Sequence, residues 1–247
     1  MITAVIITLN EESKIDDCIK SLSSVCDQCI VVDAESTDET VKKAHALKAE
    51  VHSIHWVGYG AARNYGASKA RNPWILAIDA DERLDENLIN SLQSVQLKEK
   101  TIYRFNRLTR YCGQWIRNGV WHPEWKSKLY HRDFYEWNHR LVHEDLVSSQ
   151  GRMQFEKLNG KLLHKAYQTH EQLEYRLDKY ARLSIEEKVT QNQPSSFFKR
   201  FFSPRYHFFR SYLWKKGFLD GRAGLKIAKA IETYHRKKLN YICRPLT

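Results

Sequence analysis

Trp74-Ile75-Leu76-Ala77-Ile78-Asp79-Ala80-Asp81-Glu82 decides the fold. A short apolar run rich in strand formers ends in two carboxylates separated by one small residue. Such a run reads as a strand buried in an α/β sheet, and the C-terminal mouth of such a strand is where these sheets bind ligands. An Asp-x-Asp at that point can hold a divalent cation against a diphosphate, because hard Mg²⁺ or Mn²⁺ prefers carboxylate and phosphate oxygens. The competing reading makes Asp81 the cap of a helix beginning near Asp85, with Glu82 favouring its N-terminus.

Outward from this strand, the first hundred residues alternate. Val5–Thr8 and the run from Cys29 to Asp33 read as buried strands, and 51–54 as a third, shorter one. Between them the spacing predicts helices over about 11–24, with Ile15, Ile19 and Leu22 on one face, and from about Thr37, with Asp38 and Glu39 in the first turn. A Gly58–Gly60 loop leads into a helix over 61–69. Strands spaced by helices imply a parallel sheet with right-handed crossovers. Past residue 100, the segments 103–111, 126–132 and 158–163 read as strands of a more irregular, aromatic-rich region. Thr169-His170-Glu171-Gln172 is a capping box that starts a long helix to about Gln191, broken by Gln193-Pro194-Ser195-Ser196. Two helical stretches follow, separated around Gly217 and Gly221–Gly224.

Apolar residues make up 42% of the 247, enough for a core, and the 28% of charged residues include no low-complexity tract, which argues against general disorder. Met1–Thr8 lacks the basic region and cleavage site of a secretory signal, and no apolar run approaches the ~18 residues of a membrane-spanning helix. The five cysteines are odd in number and scattered, as suits a reducing cytosol. Cys26-x-x-Cys29 has no second pair to complete a zinc site, so it reads as two buried thiols. The net charge of +11 is confined to the C-terminus: residues 195–247 carry 13 Lys/Arg against Asp220 and Glu232, and the remainder balances.

Thr8-Leu9-Asn10-Glu11 closes the first strand and Asp33-Ala34-Glu35-Ser36-Thr37-Asp38 the second. Carboxylate and amide groups at adjacent strand ends can read a ribose and a base edge; each alone is equally ordinary helix-capping chemistry. Gly58-Tyr59-Gly60-Ala61-Ala62-Arg63-Asn64 lacks the third glycine of a dinucleotide fingerprint. Arg63 in its helix can pair with a diphosphate or be a plain surface arginine.

Taken in order, Thr-x-Asn-Glu, Val-Val-Asp with Ser-Thr-Asp, Gly-x-Gly-x-x-Arg-Asn and Asp-Ala-Asp-Glu resemble the family-2 glycosyltransferases of the GT-A fold. Trp121-His122-Pro123-Glu124-Trp125, Leu141-Val142-His143-Glu144, Leu162-Leu163-His164 and Gly217-Phe218-Leu219-Asp220-Gly221 resemble the subgroup of bacterial lipopolysaccharide core synthesis, including β-1,4-glucosyltransferases. Lys128 stands where that subgroup leads one to expect arginine. The resemblance implies a GT-A-like nucleotide-binding domain with a mostly parallel central sheet, and an inverting transferase using UDP-glucose and Mg²⁺ or Mn²⁺. Carried over by position, Thr8, Asn10, Glu11, Asp33 and Arg63 hold the nucleotide, Asp79 lies near ribose or sugar, and Asp81 ligates the metal. His164 contacts metal or diphosphate, or is a core histidine. Inversion needs a base on the acceptor side. Glu144 is the first candidate and Asp145 the second. Trp121 and Trp125 stack on acceptor sugar or pack in the core.

The tail from Phe197 to Trp214 mixes aromatics with basic residues, as suits an interfacial helix on an anionic membrane. Packing of those aromatics on the body is the alternative; nucleic-acid binding is not expected, because the neutral body holds no recognised module for it. The expected organisation is a catalytic domain over 1–193 (nucleotide-sugar half 1–100, acceptor half 101–168, long helix 169–193) and a helical, basic membrane-association segment over 194–247. The expected activity is hexose transfer onto a lipopolysaccharide inner-core or other lipid-linked glycan, by a peripheral protein at the cytoplasmic face of the membrane. Alternatives are another donor sugar, a polyprenyl-phosphate acceptor, or a non-catalytic sugar-nucleotide or nucleic-acid binding protein.

Overall fold

A computed structural model describes residues 1–138, 140, 144–148, 151–189 and 197–242. The elements run β1 (Ile2–Thr8), α1 (Ile15–Leu22), β2 (Gln28–Asp33), α2 (Thr40–Ala46), β3 (Glu50–Ser53), α3 (Tyr59–Lys69), β4 (Trp74–Asp79), β5 (Glu82–Leu84) and α4 (Glu86–Ser94). They continue with β6 (Thr101–Tyr111), β7 (Gln114–Trp115), a 3₁₀ turn (Gly119–Trp121), β8 (Glu124–His131), β9 (Glu136–Trp137), β10 (Leu146–Val147) and β11 (Gln154–Tyr167). The last are α5 (His170–Val189), α6 (Phe197–Phe209), a π-helical turn (Arg210–Trp214), a second 3₁₀ turn (Gly217–Asp220) and α7 (Gly221–Ile242).

The chain forms two compact units. The first comprises Met1–Arg107 and Glu124–Lys165; the second, Leu108–Pro123 and Ala166–Thr247. The long helix α5 falls in the second of these units, with α6 and α7.

The first unit is the expected α/β layer structure. Its sheet has the order β3-β2-β1-β4-β8-β6-β11-β5. The first four strands are parallel; β8 runs antiparallel to β4 and β6, and β5 antiparallel to β11. β5 follows β4 after a two-residue turn yet pairs at the far end of this order, so the sheet curls until its last edge returns to the mouth of β4. Successive strand residues face opposite sides. Ala4, Ile6, Leu76 and Ile78 join Ile15, Ile19, Leu22, Leu88 and Leu92 in one core, and Val5, Ile7, Ile75 and Ala77 join Ala62, Ala67, Tyr130 and Trp137 in the other. Cys26 and Cys29 are free thiols packed against the first core, as read from the sequence, and burial pushes Cys29 up to about 12.

The second unit packs α5 and α7 against the β6 end. Tyr111, Ile116, Leu173, Ile227 and Ile231 form its core. The capping box is present: Thr169 Oγ1 accepts the Gln172 N–H, and Gln172 Oε1 accepts the Thr169 N–H. Asp220 is buried, and its carboxylate accepts the Arg117 and Asn118 backbone N–H groups. The helix break expected at 193–196, Cys243 and the segment 141–143 lie outside the described residues.

Two local expectations are corrected. α2 begins at Thr40, so Asp38 and Glu39 precede it. Its start is delayed because Asp33 takes the Ser36 N–H and Asn10 takes the Thr37 N–H, side-chain bonds that compete with helical ones. α4 is capped by Asp85, whose side chain accepts the Leu88 N–H at 2.8 Å, and β5 separates that cap from Asp81. The capping reading of Asp81 therefore fails.

Candidate active site

The parallel register aligns the ends of three strands. Thr8 pairs with Asp33 and Ile7 with Asp79. Thr8 Oγ1 is buried without a hydrogen-bond partner among the described residues. Asp33, also buried, accepts the Ser36 N–H at 2.9 Å. Asn10 adopts a left-handed φ of 53° and is exposed; its N–H donates to Ser36 Oγ and its Oδ1 accepts the Thr37 N–H, both at 2.8 Å. Glu11 donates its backbone N–H to Thr40 Oγ1 and pairs its carboxylate with Lys14 at 2.7 Å. The loops after β1 and β2 are thereby tied into one rim around Thr8 and Asp33, the nucleotide-binding candidates.

α3 delivers Arg63 to this rim. A Cβ on Gly60 would collide with the Asn138 carbonyl oxygen, so only glycine lets the helix come this close to the backbone after β9. Asn64 completes the docking by donating to the Trp137 carbonyl and accepting its N–H. Arg63 then lies 4.6 Å over the Trp137 ring, buried, with Nη2 2.7 Å from Asp79 Oδ1 and Nη1 2.7 Å from Glu144 Oε1. Instead of standing free for a diphosphate, its guanidinium bridges two carboxylates, leaving Nε without a partner.

A buried ion network lies behind Asp79. Glu82, almost inaccessible in β5, accepts the Asp79 backbone N–H at 3.0 Å and the Lys128 ammonium at 2.6 Å. Lys128 Nζ also stands 3.5 Å from Asp79 Oδ2. Arg107 Nη1 reaches Glu82 Oε1 at 3.6 Å, and Arg107 holds Glu124 through two bonds of 2.8 and 3.0 Å. Burial alone raises the Asp79 carboxyl, but Lys128 and Arg63 together hold it well below its ordinary range. Glu124 behaves alike: burial opposes, Arg107 and Lys126 prevail, and its pKa falls to about 2. Burial lowers Arg63, but Asp79 and Glu144 more than reverse it. Asp79, Glu124 and Arg63 therefore stay charged at neutral pH.

Asp81 and His164 meet at the curled edge. β11 sets His164 opposite Glu82, and the Lys165 N–H donates to the Asp81 carbonyl at 2.9 Å. His164 Nε2 lies 3.3 Å from Asp81 Oδ2, with both residues buried. A carboxylate oxygen and an imidazole nitrogen converging in this way fit Mg²⁺ or, with its greater tolerance of nitrogen, Mn²⁺. Among the described residues no three His, Cys, Asp or Glu side chains gather as a metal site. Two protein donors with the rest supplied by phosphate and water is the arrangement Mg²⁺ usually takes beside nucleotides. Both oxygens of Asp79 face cations, which favours Asp81 as the ligand.

Glu144 is partly buried beside Arg63, whereas Asp145 is exposed and uses its carbonyl to accept the Asn138 N–H. The β9–β10 pairing, Leu146 opposite Trp137, anchors this segment. The two tryptophans belong to different units. Trp121, in the second, stacks on Tyr167 and meets the edge of Tyr111, a packing role. Trp125, on β8 in the first, lies beneath Lys157 Nζ at 4.7 Å.

Comparison with known proteins converges on one family. The profile described as glycosyl transferase family 2 matches residues 3–155. An uncharacterized glycosyltransferase of Rickettsia bellii is 28% identical over 268 residues, covering 100% of this chain and 89% of that protein. The lipopolysaccharide core biosynthesis glycosyltransferase LpsC of Rhizobium meliloti is 28% identical over 254 residues, covering 96% of this chain and 93% of its own length. Among solved structures, glucosyl-3-phosphoglycerate synthase from Mycobacterium tuberculosis with Mn²⁺ and UDP-glucose shares 26% identity over 44% of either chain, at a TM-score of 0.36. A profile spanning more than half of the sequence settles the matter: the chain belongs to glycosyl transferase family 2.

Proposed function

We propose that the protein is an inverting, metal-dependent hexosyltransferase that moves glucose from UDP-glucose to a hydroxyl of a lipopolysaccharide inner-core or related lipid-linked glycan. The observation that carries this reading is the grouping, in one unit, of the Asp81–His164 donor pair with the Arg63–Asp79–Glu144 bridge. The motif resemblance supports the donor, and the near full-length likeness to LpsC supports the acceptor class.

Thr8, Asn10, Glu11 and Asp33 line the nucleotide end, with Thr8 Oγ1 available to a ribose or base. Asp81 and His164 hold the divalent cation. A cation held there would neutralise charge on the departing diphosphate, so that no proton donor would be required. Glu144 takes the proton from the acceptor hydroxyl while Arg63 fixes the orientation of its carboxylate. Asp79, locked between Arg63 and Lys128, holds Arg63 in register with the strand ends and presents a fixed negative charge to the donor sugar. Trp125 serves the acceptor side.

The test is a panel of nucleotide sugars offered with extracted lipid acceptors, followed by linkage analysis of the product. UDP-glucose giving a β-glucosylated core lipid supports the reading. Preference for another donor, or product on polyprenyl phosphate alone, replaces the substrate assignment. Donor binding without transfer under every condition would make the chain a binding protein.

A further inference from the structure

Along α6 and the turn that follows it, several apolar side chains face outward. Phe202, Tyr206, Phe209 and Leu213, spaced by three or four residues, are all exposed. Other side chains are more sheltered: Ser211 is buried, and the half-buried Phe208 stacks on the half-buried Tyr212. At Arg210–Trp214 the helix widens to a π turn, and Lys216 then reverses the chain with a left-handed φ of 57°. The wider turn breaks the α-helical register, and Leu213 and Trp214 both project, followed across the reversal by Phe218 and Leu219. Trp214 is 75% exposed and Leu219 60%.

This blunt apolar turn wears a basic collar. Arg210, Lys215 and Lys216 are exposed beside it, and no acid occurs between 197 and 219. The next acid, Asp220, is buried and occupied by the Arg117 and Asn118 N–H groups. We propose that the turn 213–219 is a membrane-inserting knuckle, with Leu213, Trp214, Phe218 and Leu219 entering the interfacial layer of an anionic bilayer. Lys215 and Lys216 would then meet lipid headgroups. A second copy of the chain fits this surface poorly, because pairing the patch with itself brings like charges together. Tryptophan and lysine side by side suit the boundary between headgroups and acyl chains. Among the described residues no helix is long and apolar enough to cross a membrane, so insertion stops at the interface. The inference goes beyond the transferase reading and does not depend on it.

The full chain is sedimented with vesicles of neutral phosphatidylcholine, and of the same lipid with phosphatidylglycerol, without donor or acceptor. The proposal expects binding to anionic vesicles that weakens with salt. Lys215→Glu with Lys216→Glu lowers partitioning by roughly fivefold or more per site. Trp214→Ser with Leu219→Ser lowers it by about tenfold or more while leaving the circular dichroism unchanged. Brominated lipids quench wild-type tryptophan emission more than that of Trp214→Phe. Equal binding by wild type and both double variants overturns the proposal, as does equal quenching of wild type and Trp214→Phe. Self-association without vesicles that is lost in Trp214→Ser would assign the surface to a second copy instead. Because neither readout needs turnover, failure of the transferase reading leaves this test intact.

Discussion

His164 Nε2 and Asp81 Oδ2 lie 3.3 Å apart because the sheet curls until β11 passes the turn after β4. This pair is the proposed seat of the divalent cation, and its removal has a defined expected effect. Asp81→Asn lowers turnover about 100-fold or more and abolishes the benefit of added Mn²⁺; His164→Ala raises the Mn²⁺ concentration for half-maximal rate about 10- to 100-fold. Metal titrations of initial rate check both.

Glu144 and Asp145 are neighbours with unequal settings. Glu144 faces Arg63 and Asp145 faces solvent. Glu144→Gln lowers kcat about 10²- to 10⁴-fold with little change in donor binding, the size expected for losing a general base. Asp145→Asn stays close to wild type. Steady-state kinetics with calorimetric donor binding separate the two.

Acid should loosen the ion network. Asp79 and Glu124 are held below their ordinary values of 3.8 and 4.5, Glu124 near 2. Depressed carboxylates contribute stability that is full above the ordinary values and lost as pH falls through the folded ones. Unfolding free energy is therefore predicted to fall below about pH 4.5, and Glu124→Gln to flatten that decline. Lys128→Met leaves Glu82 with only the more distant Arg107 as a cation and is expected to cost about 3 kcal/mol. Urea melts across pH measure both effects.

The second unit carries its own acid sensitivity. His207 and His235 stack with centroids 3.5 Å apart, joining α6 to α7. Burial, then His207, Lys238 and Arg210, lower His235 to about 4, while burial and Arg210 lower His207. A histidine lowered from 6.5 stays neutral in the fold while the unfolded chain binds a proton, so stability drops as pH falls from about 6.5 towards 4. His235→Phe should remove part of that slope, as read by hydrogen exchange of α7.

The parallel half was legible because each buried strand leaves an apolar run and each crossover helix a periodic face. Thr8, Asp33, Asp79 and Asp81 could be placed from strand endings alone. The partners of Asp79 could not. Glu82 read as a helix-start charge, Lys128 as a departure from the family pattern, Glu124 only as part of the Trp121–Trp125 motif, and Arg107 drew no notice, because their meeting depends on sheet curl. One signal was present: Glu124, Lys126 and Lys128 alternate with Trp125 and Ser127, a charged face on a strand. In the tail, period alone cannot say whether aromatics face in or out. The π turn that presents Leu213 and Trp214 leaves no sequence mark.

The most direct measurement is the anomeric configuration of the product. With UDP-α-glucose, Mn²⁺ and a lipid-linked core acceptor, NMR of the purified product should show a β-linked glucose from wild type, and no such signal from Asp81→Ala or Glu144→Gln. An α-linked product, or the same β-linked product at undiminished rate in both variants, would contradict the account.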